Sequence, residues 1–152
     1  MSRNLSARDP GTSHAAYGAL ILRVALGAVF IVHGLFKPLV LGFPATVAFF
    51  QGFGFPGWTV YPVFLAEVVG GLALVLGVGT RHAAAALIAV ALGALRVHVP
   101  NGWYFGAPNG GWEFLAVLIA GLLAVVLVGP GSLRVPLGRV TRDAQATRES
   151  AA

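Results

Sequence analysis

Four long apolar stretches divide the chain, and the few charged residues within them lie near their ends. The stretches are Tyr17–Phe36, Tyr61–Val78, Ala83–Val97 and Trp112–Val128. A helix needs about 20 apolar residues to cross the hydrocarbon core of a bilayer. The third stretch reaches that length when it is extended to Thr80 and His98. The pattern therefore predicts an all-α integral membrane protein, folded as an antiparallel bundle of four transmembrane helices.

Glycine, proline and aromatic residues mark the segments between the predicted helices. The first helix is predicted to end at Lys37, because a residue before proline is pushed out of the helical region. The first outer loop, Leu39–Pro62, is predicted to be partly helical over Ala45–Gln51, either in the membrane interface or as a re-entrant segment. Aromatic residues would anchor this loop at the head-group level. These residues are Phe49, Phe50, Phe53, Phe55 and Trp58.

The basic residues are unevenly distributed and predict the topology. Most of them flank the same ends of the predicted helices: Arg3, Arg8, Arg81, Arg134, Arg139, Arg142 and Arg148. The positive-inside rule places that side in the cytoplasm. The chain then divides into a cytoplasmic segment 1–16, a membrane domain 17–131 and a basic cytoplasmic tail 132–152, which is predicted to be largely disordered. The net charge of +5 is thus assigned to topology, and no nucleic-acid partner is expected.

Composition excludes several classes of function. Hydrophobic residues make up 57% of the chain and charged residues 10%, which is far from the average of soluble domains. The chain has no cysteine, so disulfides, thiol redox chemistry and thiolate metal sites of its own are excluded. No spacing typical of a zinc or di-iron site is present, and no metal is predicted. His33 and His98 lie on different helices as haem ligands can, but hydrogen-bonding roles are favoured.

The predicted topology brings six polar residues into the outer half of the bundle. They are His33, Lys37, Glu67, Arg96, His98 and Glu113. Glu67 shares a helix face with Gly70 and Gly71, and small residues are typical of tightly packed interfaces between membrane helices. Glu67 is therefore predicted to face the interior and to pair with a base of the first helix. Arg23 is a candidate for a structural ion pair with Glu67, and Lys37 is the alternative.

Two interpretations of this polar cluster stay open. In the first, the charges form structural ion pairs that fix the register of the helices. In the second, they line a site for a polar group such as a quinone head group, a lipid or a proton, since ionisable residues inside a membrane often mark functional sites. A quinone is the cofactor that this second interpretation favours. No catalytic residue can be assigned.

Several short motifs resemble those of the DoxX family. The first helix carries Leu22–Gly27 and His33–Lys37, and the second carries Glu67–Leu72 followed by the turn Gly77–Arg81. Later motifs in the same order are His98, Gly110–Glu113 and Gly129–Gly131. Together they cover roughly residues 17–133. The chain departs from the family pattern after Ser132-Leu133, where members often have Asp and this sequence has Arg134.

The resemblance implies a four-helix protein of the bacterial inner membrane, and the arginine distribution places both termini in the cytoplasm. The family is named after a small subunit linked to terminal quinol oxidase and thiosulfate:quinone oxidoreductase systems. The expected function is therefore a subunit or partner of a membrane oxidoreductase, and enzymatic activity stays open. The alternatives are a non-catalytic assembly or accessory subunit, and a small transporter or proton pathway. Lipid, redox enzyme subunits and further copies of the chain are the partners considered.

Overall fold

The computed structural model describes residues 10–132, with side chains from residue 14 onward, and this part of the chain is helical without strands. The α-helices are α1 (Pro10–Phe36), α2 (Phe43–Gly52), α3 (Val60–Leu76), α4 (Thr80–His98) and α5 (Glu113–Val128). A π-turn, Lys37–Leu41, follows α1, and short 3₁₀ turns precede α3 and follow α4. The all-α prediction is therefore confirmed for the described residues. Residues 1–9 and 133–152, which hold most of the predicted cytoplasmic segments, lie outside them.

Three segments are long and apolar enough to cross a membrane. They are His14–Leu41, Gly57–Leu76 and Thr80–Asn101. The fourth apolar helix, α5, has 16 residues, which at ~1.5 Å per residue is about 24 Å long. That is shorter than the hydrocarbon core of a typical bilayer, which is ~30 Å thick.

Glycines end α3 as the sequence predicted. Gly77 has a φ of 76°, in the left-handed region. The amide of Gly77 donates to the carbonyl of Leu74, and that of Val78 donates to Ala73. These two bonds form a Schellman motif, which satisfies the last carbonyls of a helix. After this short turn, α4 begins at Thr80, the residue to which the third span was extended.

The four longer helices enclose one apolar core. Helix α1 packs against α3 and α5, and α4 packs against the same two helices. Core side chains come from all four helices, among them Phe30, Leu74, Leu87 and Leu122. A close backbone contact lies between Gly27 of α1 and Gly71 of α3. A Cβ on Gly27 would lie 2.6 Å from the carbonyl oxygen of Gly71, so only glycine permits this approach of the two backbones.

Arg23 joins α1 to two other parts of the fold. Its side chain is only 1% exposed. The guanidinium donates to the carbonyls of Leu74 and Val75 at the end of α3. It also donates to Pro130, 2.8 Å away, and to Ser132, 3.4 Å away, in the segment after α5. A guanidinium offers five donors in a fixed fork, so one side chain can hold both chain segments against α1.

Candidate functional site

A largely buried ion pair between the π-turn after α1 and α3 forms the polar end of the site. The ammonium of Lys37 donates to the Oε2 atom of Glu67, and only 14% and 8% of the two side chains are exposed. Lys37 is the first residue of the π-turn, and such turns are frequent at functional sites. The backbone of α1 also lies close to Glu67, because a Cβ on Gly34 would be 3.1 Å from the Cβ of Glu67. Glu67 therefore faces α1 inside the bundle.

Among the described residues, Glu67 pairs with Lys37 and not with Arg23, so the Arg23–Glu67 ion pair was a wrong prediction. The reason is distance along the helices. Arg23 precedes Lys37 by 14 positions, which is about 21 Å along a helix. Its bonds to α3 reach Leu74 and Val75, about two turns beyond Glu67. The two basic residues therefore contact different parts of α3, Lys37 at its middle and Arg23 at its C-terminal end.

A cavity of about 450 Å³ lies beside this ion pair. Its polar wall is formed by His33, Lys37, Glu67 and His98. One side of the remaining wall is aromatic and comes from α1, α2 and the loop after α2: Phe36, Phe49, Phe50, Phe53 and Phe55. Small and aliphatic residues of α4 form the opposite side: Ala89, Val90, Gly93, Ala94 and Val97. We call it the phenylalanine cavity. It therefore offers charged and hydrogen-bonding groups at one end and apolar rings elsewhere.

A second cavity, of about 250 Å³, adjoins the first and is called the loop cavity. Phe105 and Gly111, from the segment between α4 and α5, line it together with Phe114 of α5. His33, Glu67 and His98 line both cavities, as do Val90 and Ala94. These three titratable side chains thus stand between the two cavities.

Backbone hydrogen bonds fix the proton position on both histidines. The Nδ1 atom of His33 lies 2.9 Å from the carbonyl of Val29, and that of His98 lies 3.1 Å from the carbonyl of Gly110. A carbonyl oxygen only accepts, so each Nδ1 carries the hydrogen and donates it. In the neutral ring, Nε2 is then an acceptor that can take up a proton.

Two of the six predicted site residues lie elsewhere. Arg96 is exposed, and its guanidinium carbon lies 5.3 Å from the ring centroid of Phe55. It stands two positions from His98, which is about 200° around a helix. The Oε1 atom of Glu113 accepts from the amide of Phe105 at 3.0 Å and so holds the loop before α5. Neither side chain lines the two cavities, and their inclusion in the polar cluster is corrected.

Comparison with known proteins identifies the family. The model of the DoxX family matches residues 18–99, which is more than half of the chain. The chain belongs to the DoxX family. The matched part of this DoxX protein contains His33, Lys37, Glu67 and His98, and it ends before α5. The resemblance drawn from the motifs is thus confirmed.

One curated relative of this DoxX protein has a name that indicates redox chemistry. The Bacillus subtilis (strain 168) protein named "Putative oxidoreductase CatD" is 31% identical over 108 residues, which cover 71% of this chain and 78% of that protein. No solved structure matches the chain. Family membership and the three helices of spanning length identify this DoxX protein as a multi-pass membrane protein.

Most phenylalanines of the aromatic wall were singled out in the sequence, but they were assigned to the membrane interface. The phenylalanines after α1 were predicted to anchor the loop in the membrane interface, whereas several of them line the cavity of this DoxX protein. A signal for this was available. Thr46, Phe49, Phe50 and Phe53 recur at i, i+3, i+4 and i+7, the spacing of one helix face, and all four line the phenylalanine cavity. Trp58 does not, and it is exposed.

The described residues hold no cluster suited to a metal ion. Within residues 10–132, no three His, Asp or Glu side chains lie close enough to coordinate one. The hydroxyls of Thr46 and Thr59, which also line the phenylalanine cavity, donate to the carbonyls of Gly42 and Pro56. The side chains of this DoxX protein that can still donate a hydrogen bond to a ligand in that cavity are therefore Lys37 and the two imidazoles, while the hydroxyls of Thr46 and Thr59 can only accept.

Proposed function

We propose that this DoxX protein binds the head group of a membrane quinone in the phenylalanine cavity, as a subunit or partner of a membrane oxidoreductase system. The observation that carries the proposal is the joint presence of four polar side chains and an aromatic wall around 450 Å³ of space. Pockets that hold small ligands measure roughly 300–1,000 Å³. An apolar cavity of about 150 Å³ already accepts benzene, so a substituted ring and the start of its tail would fit.

The polar wall suits the chemistry of a quinone. The oxygens of a quinone gain negative charge as electrons arrive, and a fixed cation with hydrogen-bond donors stabilises such charge. Lys37 supplies the cation, and the imidazoles of His33 and His98 can give and take protons at Nε2. The phenylalanines would contact the ring and the isoprenoid tail. The electrons would be exchanged with the redox cofactor of a partner.

The proposal includes a membrane topology. Helices α1, α3, α4 and α5 would cross a bacterial inner membrane as an antiparallel bundle with both termini in the cytoplasm, and the site would lie in the outer half. Helix α5, with 16 residues, would cross where the bilayer is locally thinned, a common adjustment to a short span. The positions of the arginines support this orientation.

Cysteine labelling tests the topology in a chain that has no cysteine of its own. A membrane-impermeant thiol reagent added to intact cells should label Pro108→Cys, in the exposed loop before α5, and should not label His82→Cys, in the first turn of α4. Cysteines at Ser6 and Gln145, outside the described residues, should be shielded as well. Labelling of His82→Cys from outside would contradict the orientation.

Thermal unfolding tests the binding of a quinone. A short-chain quinone at ten times its Kd should stabilise the folded protein by about 1.4 kcal/mol, which raises the Tm by about 3–6 °C for a chain of this size. His98→Ala should lose most of this shift, because an imidazole is removed from the polar wall. Glu113→Gln is the matched control and should keep the shift, since an amide oxygen can still accept from Phe105. An equal shift in His98→Ala and the wild type would count against the site.

A non-catalytic accessory subunit is the second candidate function. The direct contact between Lys37 and Glu67 favours it, because a buried ion pair can hold two helices in register without any ligand. Under this function the protein would co-purify in mild detergent with a larger enzyme and without quinone. Mass spectrometry of the purified complex distinguishes the two functions.

A further inference from the structure

We infer that the loop cavity is a water-filled entry through which the polar end of the quinone site exchanges protons with the outer aqueous phase. The inference rests on the proposed function, which supplies the ring, but the presence of water in the cavity can be tested separately. It concerns a different space from the phenylalanine cavity and gives the segment between α4 and α5 a role.

The position of the loop cavity suits an entry. Phe105 and Gly111 of the connecting segment line one side of it. That segment is exposed at its tip, where Pro108 lies. Gly110 accepts hydrogen bonds from His98 and from the side-chain amide of Asn101. The segment is thus held by a hydrogen bond to His98, one of the three side chains that stand between the two cavities.

The loop cavity is large enough and polar enough on one side to hold water. A water molecule takes up ~30 Å³ in the liquid and needs 2–4 polar partners when it is buried. The volume of about 250 Å³ has room for several. His33, Glu67 and His98 supply the polar partners on the wall that the two cavities share. The other lining residues, such as Phe30 and Leu118, are apolar and would confine the water to that wall.

The side chains that line both cavities, His33, Glu67 and His98, can transfer protons between them. Conversion between a quinone and its quinol moves two protons together with two electrons, and the electrons are exchanged with the proposed redox partner. Each imidazole can accept a proton at Nε2 while Nδ1 stays bonded to a carbonyl. The carboxylate of Glu67 would stabilise the imidazolium that forms. Lys37 lines the phenylalanine cavity and not the loop cavity. Its positive charge would therefore lie beside the quinone ring.

The titratable side chains around the wall that the two cavities share come from several elements. Helix α1 contributes His33, the π-turn after it contributes Lys37, α3 contributes Glu67 and α4 contributes His98. The α5 residues that line the loop cavity are apolar: Phe114, Leu115 and Leu118. Glu113 is bonded to the amide of Phe105. The proton path therefore uses no group from α5.

Three matched substitutions test for water in the cavity. Val29 lines the loop cavity alone, Val63 lines the phenylalanine cavity alone, and Val125 is buried in the core. Thiols react as thiolates, which need water, so Val29→Cys should react with an impermeant thiol reagent on the order of tenfold faster than Val125→Cys. The reagent is added to oriented membrane vesicles, on the side where Pro108→Cys is labelled.

Two measurements distinguish a failure of this inference from a failure of the proposed function. A short-chain quinone should slow the labelling of Val63→Cys and leave that of Val29→Cys unchanged. If Val29→Cys reacts as slowly as Val125→Cys, or reacts only from the side where His82→Cys is labelled, the water-filled entry is overturned. If Val29→Cys reacts as expected but quinone does not protect Val63→Cys, the entry stands and the quinone site is the part that fails.

Discussion

Replacing Glu67 by Gln is expected to lower the free energy of unfolding by about 3 kcal/mol, the lower end of the cost of breaking a buried ion pair. The ammonium of Lys37 would lose its only ionised partner among the described residues. Lys37→Met should have an effect of similar size, because it leaves the carboxylate of Glu67 without its cation.

The double variant Lys37→Met/Glu67→Gln measures the interaction energy between the two side chains. It should lose less stability than the two single variants added together, with a coupling energy of about 1–3 kcal/mol. Reversible unfolding in mixed detergent micelles is the measurement. Arg96→Gln removes a charge from an exposed side chain and is the control, with an expected loss of about 1 kcal/mol or less.

An additive double variant would contradict the direct pairing of Lys37 with Glu67. A loss for Arg96→Gln equal to that for Glu67→Gln would show that the change of net charge, and not the ion pair, governs stability.

Adding one methyl group at Gly27 is expected to destabilise the protein by about 1–3 kcal/mol, the usual cost of overpacking. The new Cβ of Gly27→Ala would lie 2.6 Å from the carbonyl oxygen of Gly71. The Cβ is attached directly to the backbone of α1, and the oxygen belongs to the backbone of α3, so neither atom can turn away and the two helices would have to move apart. Glu67 and Gly34 lie on the same interface, so the movement would also disturb the ion pair.

Gly18→Ala is the matched control on the same helix. No atom lies within 4 Å of a Cβ at this position. Alanine favours a helix over glycine by up to about 1 kcal/mol, so this variant should be neutral or slightly stabilised. The two Gly→Ala changes should thus have opposite signs in the same unfolding assay. A Gly27→Ala protein as stable as Gly18→Ala would contradict the close contact of the two helices.

Much of the fold could be predicted because local signals agreed with one another. The lengths of the apolar stretches predicted the positions of the long helices, and Gly77 marked the end of α3. Helix α4 was bounded at Thr80 and His98, as the structure has it. The segment after α1 was harder, because its phenylalanines suit a membrane interface as well as a cavity wall, and only the contacts of α2 decide between these roles.

The sequence predicted the depth of the candidate site residues better than the directions of their side chains, although the small residues beside Glu67 did predict that it faces α1. The topology of the helices placed His33, Lys37, Glu67 and His98 in the outer half of the bundle, and all four line one cavity. Depth alone could not exclude Arg96, which points to another side of α4. It could not exclude Glu113 either, because the bond to the amide of Phe105 depends on the fold of the connecting segment.

The structural and functional interpretations of the polar cluster are compatible. The ion pair of Lys37 and Glu67 is direct, as a structural role requires. The cavity beside it leaves both imidazoles in reach of a ligand. A ligand would therefore meet a polar wall already held in place, and such preorganisation lowers the cost of binding.

The most direct test of the quinone site is a binding titration with a cavity-filling variant. Gly93 lines the phenylalanine cavity, and no atom lies within 4 Å of a Cβ there. Gly93→Leu should therefore occupy the space of the ring without forcing the helices apart, and Gly18→Leu is the control outside the cavity. Titration of a short-chain quinone into protein in nanodiscs should give saturable binding of one ring per chain for the wild type and Gly18→Leu, and none for Gly93→Leu. Equal binding by Gly93→Leu and the wild type, or no saturable binding by the wild type, would contradict the proposed site.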